Sequence, residues 1–203
     1  MAAIRRVLAL ALLSLFTAPD QPMAQKSDRS AAELMDVVMW SREPIGGAFA
    51  LIDQNGKRCI DADFRGKFML VYFGFTFCPD VCPTDLQQMG LAVDRLGAAG
   101  DAVQPIFITV DPERDTPEHL KNYVANFHSR FIGLTGDAPA IHEAARVYRA
   151  YYAKVDLGKS DYAVDHSSFI YLMGRDGEYL GFFPPGTSAD ILVGTLRPLV
   201  ANR

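Results

Sequence analysis

Two cysteines four positions apart are the residues in this sequence best suited to chemistry. Cys78 and Cys82 account for two of only three cysteines in 203 residues. So few cysteines cannot form a disulfide-stapled scaffold, and their close spacing indicates a reactive or metal-binding site. The C-x-x-x-C spacing, one residue longer than the thioredoxin-type C-x-x-C, lets both sulfurs face outward on one loop. Thiolates are soft donors, which favour Cu(I) over hard cations.

A metal held by two sulfurs has room for a third ligand, which one of four histidines could supply. His119, His128 and His142 fall on predicted helices, where we expect surface side chains. His166 differs because it follows a predicted loop over residues 156–165 and directly precedes a strand. A loop that enters a central strand can bring a side chain beside the cysteine loop. Spacing alone leaves open whether His166 is a ligand or an ordinary loop histidine.

The cysteines stand between a predicted buried strand and a predicted helix. Residues 68–75 form a continuous apolar run, typical of a central strand, and residues 85–96 carry apolar side chains at helical spacing. Pro83 suits the start of this helix. Ligand sites in open α/β sheets usually lie where a strand gives way to a helix. The helix dipole there favours thiolates at Cys78 and Cys82.

The remaining pattern predicts a thioredoxin-like α/β sandwich with an added N-terminal β-hairpin. The hairpin is indicated by Asn55-Gly56 between two short strands, a pair typical of turns with positive φ at both positions. Thr116 and Pro117 are suited to cap and begin a helix. Further strands are predicted over residues 103–110, 131–134, 167–173 and 179–183, and further helices over 117–127, 138–151 and 188–200.

The N-terminus has the composition of an export signal. Arg5 and Arg6 precede an apolar run over residues 7–16, which is too short to span a bilayer comfortably. We therefore expect residues 1–24 to form a secretory signal peptide, with an uncleaved membrane anchor as the alternative. In either case the folded part lies outside the cytoplasm, in or facing the periplasm.

Behind this segment, the sequence predicts a linker over residues 25–45, with a short helix over 31–39, and one domain over 46–203. The formal net charge is −4, from 20 basic and 24 acidic residues. The body of the chain has no cluster of lysine and arginine, which argues against a nucleic-acid partner.

Three separated motifs resemble those of the Sco (SenC-like) family of cytochrome c oxidase assembly. They are Phe-Gly-Phe-Thr-Phe-Cys-Pro-Asp-Val-Cys-Pro-Thr over residues 73–84, Asp-Pro-Glu-Arg-Asp-Thr-Pro over 111–117, and Asp-His-Ser over 165–167. The resemblance extends from about Gly47 to the C-terminus. One departure is Phe77, where many members have a polar residue or histidine.

The resemblance implies that Cys78, Cys82 and His166 bind one copper ion, as Cu(I) or Cu(II). It implies a metallochaperone more than a turnover enzyme. The expected partners are the copper-accepting subunit of cytochrome c oxidase, at its dinuclear copper centre, and an upstream copper donor protein. Reduction of that subunit's cysteines is a further role that the resemblance implies.

Four other functions stay open on the sequence. The main alternative is a thiol–disulfide oxidoreductase with Cys78 as the attacking thiol and Cys82 as the resolving thiol. A zinc site would use the same ligands. A peroxidase would need an arginine and a threonine placed to polarise peroxide, and the sequence does not place them. A metal-free binding module is the fourth.

Five residues outside the ligand set receive structural or auxiliary assignments. Cys59, on the N-terminal hairpin, is expected to be a small apolar filler. Asp80 and Asp165 adjoin the ligands and are either turn residues or groups that tune the histidine or face a partner. Asp111 and Asp115 are expected to serve loop structure and helix capping.

Overall fold

A computed structural model describes residues 44–158 and 161–201 of the protein. The predicted signal or anchor segment and the short helix over 31–39 lie outside these residues. Nine strands are described: β1 Ala50–Asp53, β2 Arg58–Ile60, β3 Phe68–Gly74, β4 Val103–Thr109, β5 Ile132–Thr135, β6 Tyr152–Gly158, β7 Asp161–His166, β8 Ile170–Met173 and β9 Tyr179–Phe183. Four α-helices accompany them: α1 Val81–Leu96, α2 Pro117–Val124, α3 Ala138–Tyr148 and α4 Ala189–Ala201.

Seven of the strands form one mixed sheet in the order β2-β1-β5-β4-β3-β8-β9. Strands β5, β4 and β3 are parallel, and the other neighbours pair antiparallel. One apolar cluster includes residues of α3, and a second includes residues of α1, α2 and α4. This architecture confirms the predicted thioredoxin-like α/β sandwich with an N-terminal hairpin.

Strand β3 lies at the centre of the sheet and is buried along its whole length. Met69, Val71 and Phe73 belong to one apolar cluster, whereas Leu70 and Tyr72 belong to the other. Because successive side chains of a strand point to opposite faces, an unbroken apolar run contributes to both clusters at once. This buried strand therefore fixes the position of the cysteine loop, which follows directly after its last residue, Gly74.

Helix α1 begins at Val81, four residues before the predicted start, so that Cys82 lies in its first turn. Gly97 ends the helix with a φ of 60°, as its sequence position predicted. The predicted cap of α2 is also confirmed, because the Thr116 side chain accepts a hydrogen bond from the backbone N–H of His119. Among residues 44–158 and 161–201, no helix is long and apolar enough to cross a membrane.

The turn between β1 and β2 differs from the predicted one. Gly56 has a φ of 77°, but Asn55 does not have a positive φ. The Asp53 carboxylate instead accepts hydrogen bonds from the backbone N–H groups of Asn55 and Lys57. The expectation of two residues with positive φ was therefore wrong. The Asp53 side chain binds the backbone N–H groups of the turn, so the turn forms with a positive φ at Gly56 alone.

The predicted loop over residues 156–165 is also wrong. Strands β6 and β7 pair antiparallel there, with Tyr152 opposite His166, and form a separate two-stranded sheet. Its side chains are mostly exposed or half-buried, with Val164 the buried exception. The sequence did not predict this hairpin because its strands are mostly exposed to solvent and so lack the run of apolar residues that marks a core strand. We call β6 and β7 together the histidine arm, because His166 is its last residue.

Candidate metal centre

Three elements bring Cys78, Cys82 and His166 together beyond the carboxyl end of the central strand β3. Cys78 lies in the turn that follows β3, Cys82 in the first turn of α1, and His166 at the end of β7. One ligand atom from each lies within 4.8 Å of the others, a separation that suits coordination of a single ion. The residues described by the structure include no other cluster of three or more such groups.

The orientation of His166 leaves one ring nitrogen free to bind a metal. Its Nδ1 lies 3.2 Å from the backbone carbonyl oxygen of Ser167, which can only accept a hydrogen bond. We therefore assign the proton to Nδ1, which leaves a lone pair on Nε2. Nε2 lies 3.3 Å from the Cys82 sulfur. A backbone partner that fixes the ring and its tautomer is typical of metal-binding histidines.

Aromatic rings hold the imidazole of His166 from two sides. The ring of Phe75 meets it edge-on at 5.7 Å between centroids, and the ring of Tyr72 does so at 6.3 Å. Phe75 and Tyr72 are buried. The imidazole therefore has apolar walls, and its remaining nitrogen faces the sulfurs.

The two sulfurs have unlike surroundings. Cys82 is fully buried, whereas Cys78 is half-buried. A hydrogen bond from the Cys82 thiol lowers the pKa of Cys78, and the same interaction together with burial raises the pKa of Cys82. These opposite shifts favour the thiolate at Cys78 and the thiol at Cys82. This corrects the expectation that the helix dipole favours thiolates at both cysteines, because two adjacent sulfurs share a proton and the buried one keeps it.

The two predicted loop aspartates are more than capping residues, because both are completely buried. The Asp115 carboxylate accepts hydrogen bonds from the hydroxyls of Thr76 and Thr109 and from the backbone N–H of Thr76. It therefore fixes the turn that leads to Cys78. Asp80 and Asp165, by contrast, are exposed.

Sequence reasoning missed the contacts of Arg114 and Tyr162. The Arg114 guanidinium pairs with the buried Asp111 carboxylate, and the Tyr162 hydroxyl donates to the same carboxylate at 2.8 Å. A peroxidase would need a free arginine and threonine near the reactive sulfur. Here the arginine is engaged with Asp111, and the Thr76 hydroxyl donates to Asp115. The signal available in the sequence was Arg114 itself, a basic residue among acidic neighbours in the motif over residues 111–117, which is typical of an ion pair.

Two of the three remaining histidines are not the surface residues that the sequence predicted. His119 is half-buried against Phe77, with ring centroids 5.5 Å apart. His128 is half-buried, and its Nε2 lies 3.1 Å from an Asp94 carboxylate oxygen. Only His142 is exposed as expected. None of the three belongs to the ligand cluster.

Cys59 lies in the apolar core, in agreement with its expected role as a filler. Burial, reinforced by the nearby carboxylates of Asp63 and Asp53, raises its pKa to about 11. Since the thiolate is the nucleophile, a raised pKa leaves Cys59 unreactive at neutral pH, whereas the lowered pKa of Cys78 leaves that sulfur reactive.

We therefore expect iodoacetamide at neutral pH to label the reduced native protein first at Cys78, and far more slowly at the buried Cys59 and Cys82, whose pKa values are raised. Mass spectrometry of tryptic peptides over a time course measures this order. Labelling after denaturation provides the control, because the rates at the three cysteines should then converge. Early modification of Cys59 in the native protein would contradict the assignment.

Comparison with known proteins adds to this geometry. The SCO1/SenC family model matches residues 39–201, which cover most of the chain. The chain belongs to the SCO1/SenC family. Protein sco1 of Schizosaccharomyces pombe is 44% identical over 166 residues, 80% of this chain and 63% of that relative. The chain thus spans less than two thirds of that relative's length.

Solved structures of Sco proteins share the fold. Arabidopsis thaliana ScoI, solved with copper bound, has 41% identity and a TM-score of 0.73, and covers 78% of this chain and 99% of its own. BsSco is a member of the Sco family of cytochrome c oxidase assembly proteins in which a disulfide switch has been identified. It has 26% identity and a TM-score of 0.61, over 80% of this chain and 98% of its own. The SCO1/SenC fold described here thus occurs in a protein that holds copper.

Proposed function

We propose that this protein is a copper chaperone that binds one copper ion through Cys78, Cys82 and His166 and supports assembly of the dinuclear copper centre of cytochrome c oxidase. The observation that carries the proposal is the convergence of two sulfurs and one imidazole nitrogen within 4.8 Å. Two soft sulfurs favour Cu(I), and an imidazole suits Cu(II) as well. The same donors can bind zinc, so the test includes both metals.

The unequal exposure of the ligands suits delivery of a metal as well as its retention. Cys82 and the walls of His166 lie inside the protein, whereas Cys78 is half-buried and its neighbour Phe77 is 55% exposed. An acceptor can therefore approach from the Cys78 side and replace the ligands one at a time. Each replacement keeps the copper coordinated, so the ion need not pass through water.

The first experiment is a titration of the reduced full-length chain with Cu(I) against a competing chelator. We expect one tight equivalent, weakened more than about 100-fold by Cys78→Ser or Cys82→Ser, since loss of a mere partner of a ligand already costs about 10–100-fold. Cys59→Ala is the matched control and should bind as the wild type does. A parallel zinc titration identifies the preferred metal. Binding unaffected by either serine substitution would exclude the proposed site.

A second candidate function, reduction of disulfides in the acceptor, is favoured by the unequal thiols. The Cys78 thiolate would attack a partner disulfide and release one partner thiolate. Cys82 would then attack the mixed disulfide, forming a Cys78–Cys82 bond and leaving the partner with two thiols. Two electrons and the Cys82 thiol proton pass to the partner, and water supplies the second proton. The two functions exclude each other at any instant, because oxidised cysteines cannot hold copper.

We also propose the location and partners that these roles require. A signal peptide or membrane anchor over residues 1–24 and a linker over 25–45 would place the domain over 46–203 in the periplasm or facing it. The copper-accepting subunit of the oxidase and an upstream copper donor protein would meet it there. Ile45, at the end of the proposed linker, is buried in the core, so this residue packs as part of the domain.

A further inference from the structure

We propose that Arg114 is a positioning residue of the copper site, which holds the histidine arm against the cysteine loop and so keeps His166 within reach of the two sulfurs. The inference rests on the proposed copper-binding function. It assigns to the Arg114 side chain a part in metal binding, although Arg114 is not itself one of the three ligands.

The histidine arm is attached to the rest of the molecule by side-chain contacts, among them Val164 in a core cluster and an ion pair between Lys154 and Glu113. Its two strands pair with each other and with no strand of the seven-stranded sheet. At its base, Ser167 and Tyr151 exchange two hydrogen bonds, from the backbone N–H of each residue to an oxygen of the other. A two-stranded ribbon has little stability by itself, so the position of the arm depends on side-chain contacts with the body.

Arg114 makes the central contact between arm and body. Its guanidinium carbon lies 3.8 Å from the centroid of the Tyr162 ring, and its Nη1 donates to the Tyr162 carbonyl oxygen at 3.1 Å. The guanidinium also pairs with the Asp111 carboxylate, to which the Tyr162 hydroxyl donates. Asp111 is completely buried, so this carboxylate depends on both donors.

The same guanidinium reaches the cysteine loop. It lies 5.8 Å from the ring of Phe75 and 4.9 Å from that of Phe77, the residue directly before Cys78. Phe75 is also one of the two rings that meet His166 edge-on. Arg114 thus contacts the arm on one side and the aromatic support of the imidazole on the other.

Only an arginine suits this position. The planar guanidinium stacks on aromatic rings and donates several hydrogen bonds at fixed angles, whereas a lysine ammonium is a compact and strongly hydrated charge. Arg114→Lys therefore keeps the charge beside Asp111 but loses the stacking and the bond to the arm. If Arg114 positions His166, this conservative change should loosen the arm and weaken copper binding together.

The test compares Arg114→Lys with wild type in the full-length chain, using Arg95→Lys as the matched control. Arg95 is half-exposed and pairs with an exposed aspartate, Asp190, so its replacement should change nothing measurable. In Arg114→Lys we expect Cu(I) affinity to fall about 10–100-fold. Hydrogen exchange should accelerate in the amides of β6 and β7, with the amides of α1 unchanged.

A double-mutant cycle shows whether Arg114 acts through His166. In a His166→Ala background, Arg114→Lys should no longer change Cu(I) affinity, because there is no imidazole left to position. Wild-type affinity and wild-type exchange of the arm in Arg114→Lys would overturn the inference. An undiminished effect of Arg114→Lys in the His166→Ala background would overturn it as well.

Two further outcomes remain decisive. If Arg114→Lys unfolds the protein, Tyr162→Leu removes the stacking partner while the Asp111–Arg114 pair stays intact. It should weaken Cu(I) binding, and wild-type affinity in that variant would overturn the inference. Failure of the proposed function gives a different result, because the wild type itself would then bind no copper tightly. Faster hydrogen exchange of β6 and β7 in Arg114→Lys would still show that Arg114 holds the arm.

Discussion

Replacing His166 with alanine is expected to weaken Cu(I) binding more than about 100-fold and to leave thiol–disulfide exchange by the two cysteines intact. The imidazole Nε2 is the one nitrogen in the ligand cluster, and a backbone carbonyl fixes its orientation. Loss of a partner of a ligand already costs about 10–100-fold in metal affinity, so loss of the ligand itself should exceed that range. The sulfurs need no histidine in order to attack a disulfide.

This variant separates the two candidate functions. Competition titration with a chelator measures copper affinity, and reduction of a model disulfide by the reduced protein measures exchange. The exposed His142→Ala provides the matched control and should behave as wild type in both assays. Equal copper affinity in His166→Ala and wild type would contradict the three-residue site and favour a function based on the thiols alone.

Replacing Gly74 with alanine is expected to reduce stability by about 1–3 kcal/mol and to weaken copper binding. A Cβ atom at this last residue of β3 would lie 2.8 Å from the Cys82 sulfur and 3.0 Å from ring carbons of Phe107 and Tyr72. All three side chains are fully buried, so none can move aside cheaply. The added methyl group must displace the sulfur or the strand.

Gly194→Ala in α4 is the matched control, because a Cβ there meets no atom within 4 Å. Alanine in a helix interior should stabilise by about 0.5–1 kcal/mol relative to glycine. Urea denaturation measures both changes, and Cu(I) titration of the folded Gly74→Ala protein measures the displacement of the sulfur. If Gly74→Ala were as stable as wild type and bound copper equally well, the close packing around Cys82 would be wrong.

The part of the site that depends on local pattern was predictable from the sequence. The apolar run of β3 is typical of a buried strand, and the cysteines that follow it lie beyond the end of that strand. The N-terminal hairpin, the cap at Thr116 and the stop at Gly97 were predictable for the same reason, since each depends on residues adjacent in sequence.

What depended on distant residues could not be predicted in this way. The histidine arm is held by contacts from Tyr162 to Arg114 and Asp111, which lie 48 and 51 positions earlier in the sequence. No periodicity within the arm indicates such contacts, so the sequence predicts a loop over residues 156–165 where the structure has strands. Residue spacing alone leaves open whether His166 is a metal ligand or an ordinary loop histidine. The resemblance to a family, and not the local pattern, favours the ligand.

The most direct test of the copper site is X-ray absorption spectroscopy of the full-length chain loaded with one equivalent of Cu(I). We expect the copper edge data to fit two sulfur scatterers and one imidazole nitrogen, contributed by Cys78, Cys82 and His166. In His166→Ala the nitrogen contribution should disappear while both sulfurs remain. A wild-type spectrum with no imidazole contribution, or with fewer than two sulfurs, would contradict the site and with it the proposed function.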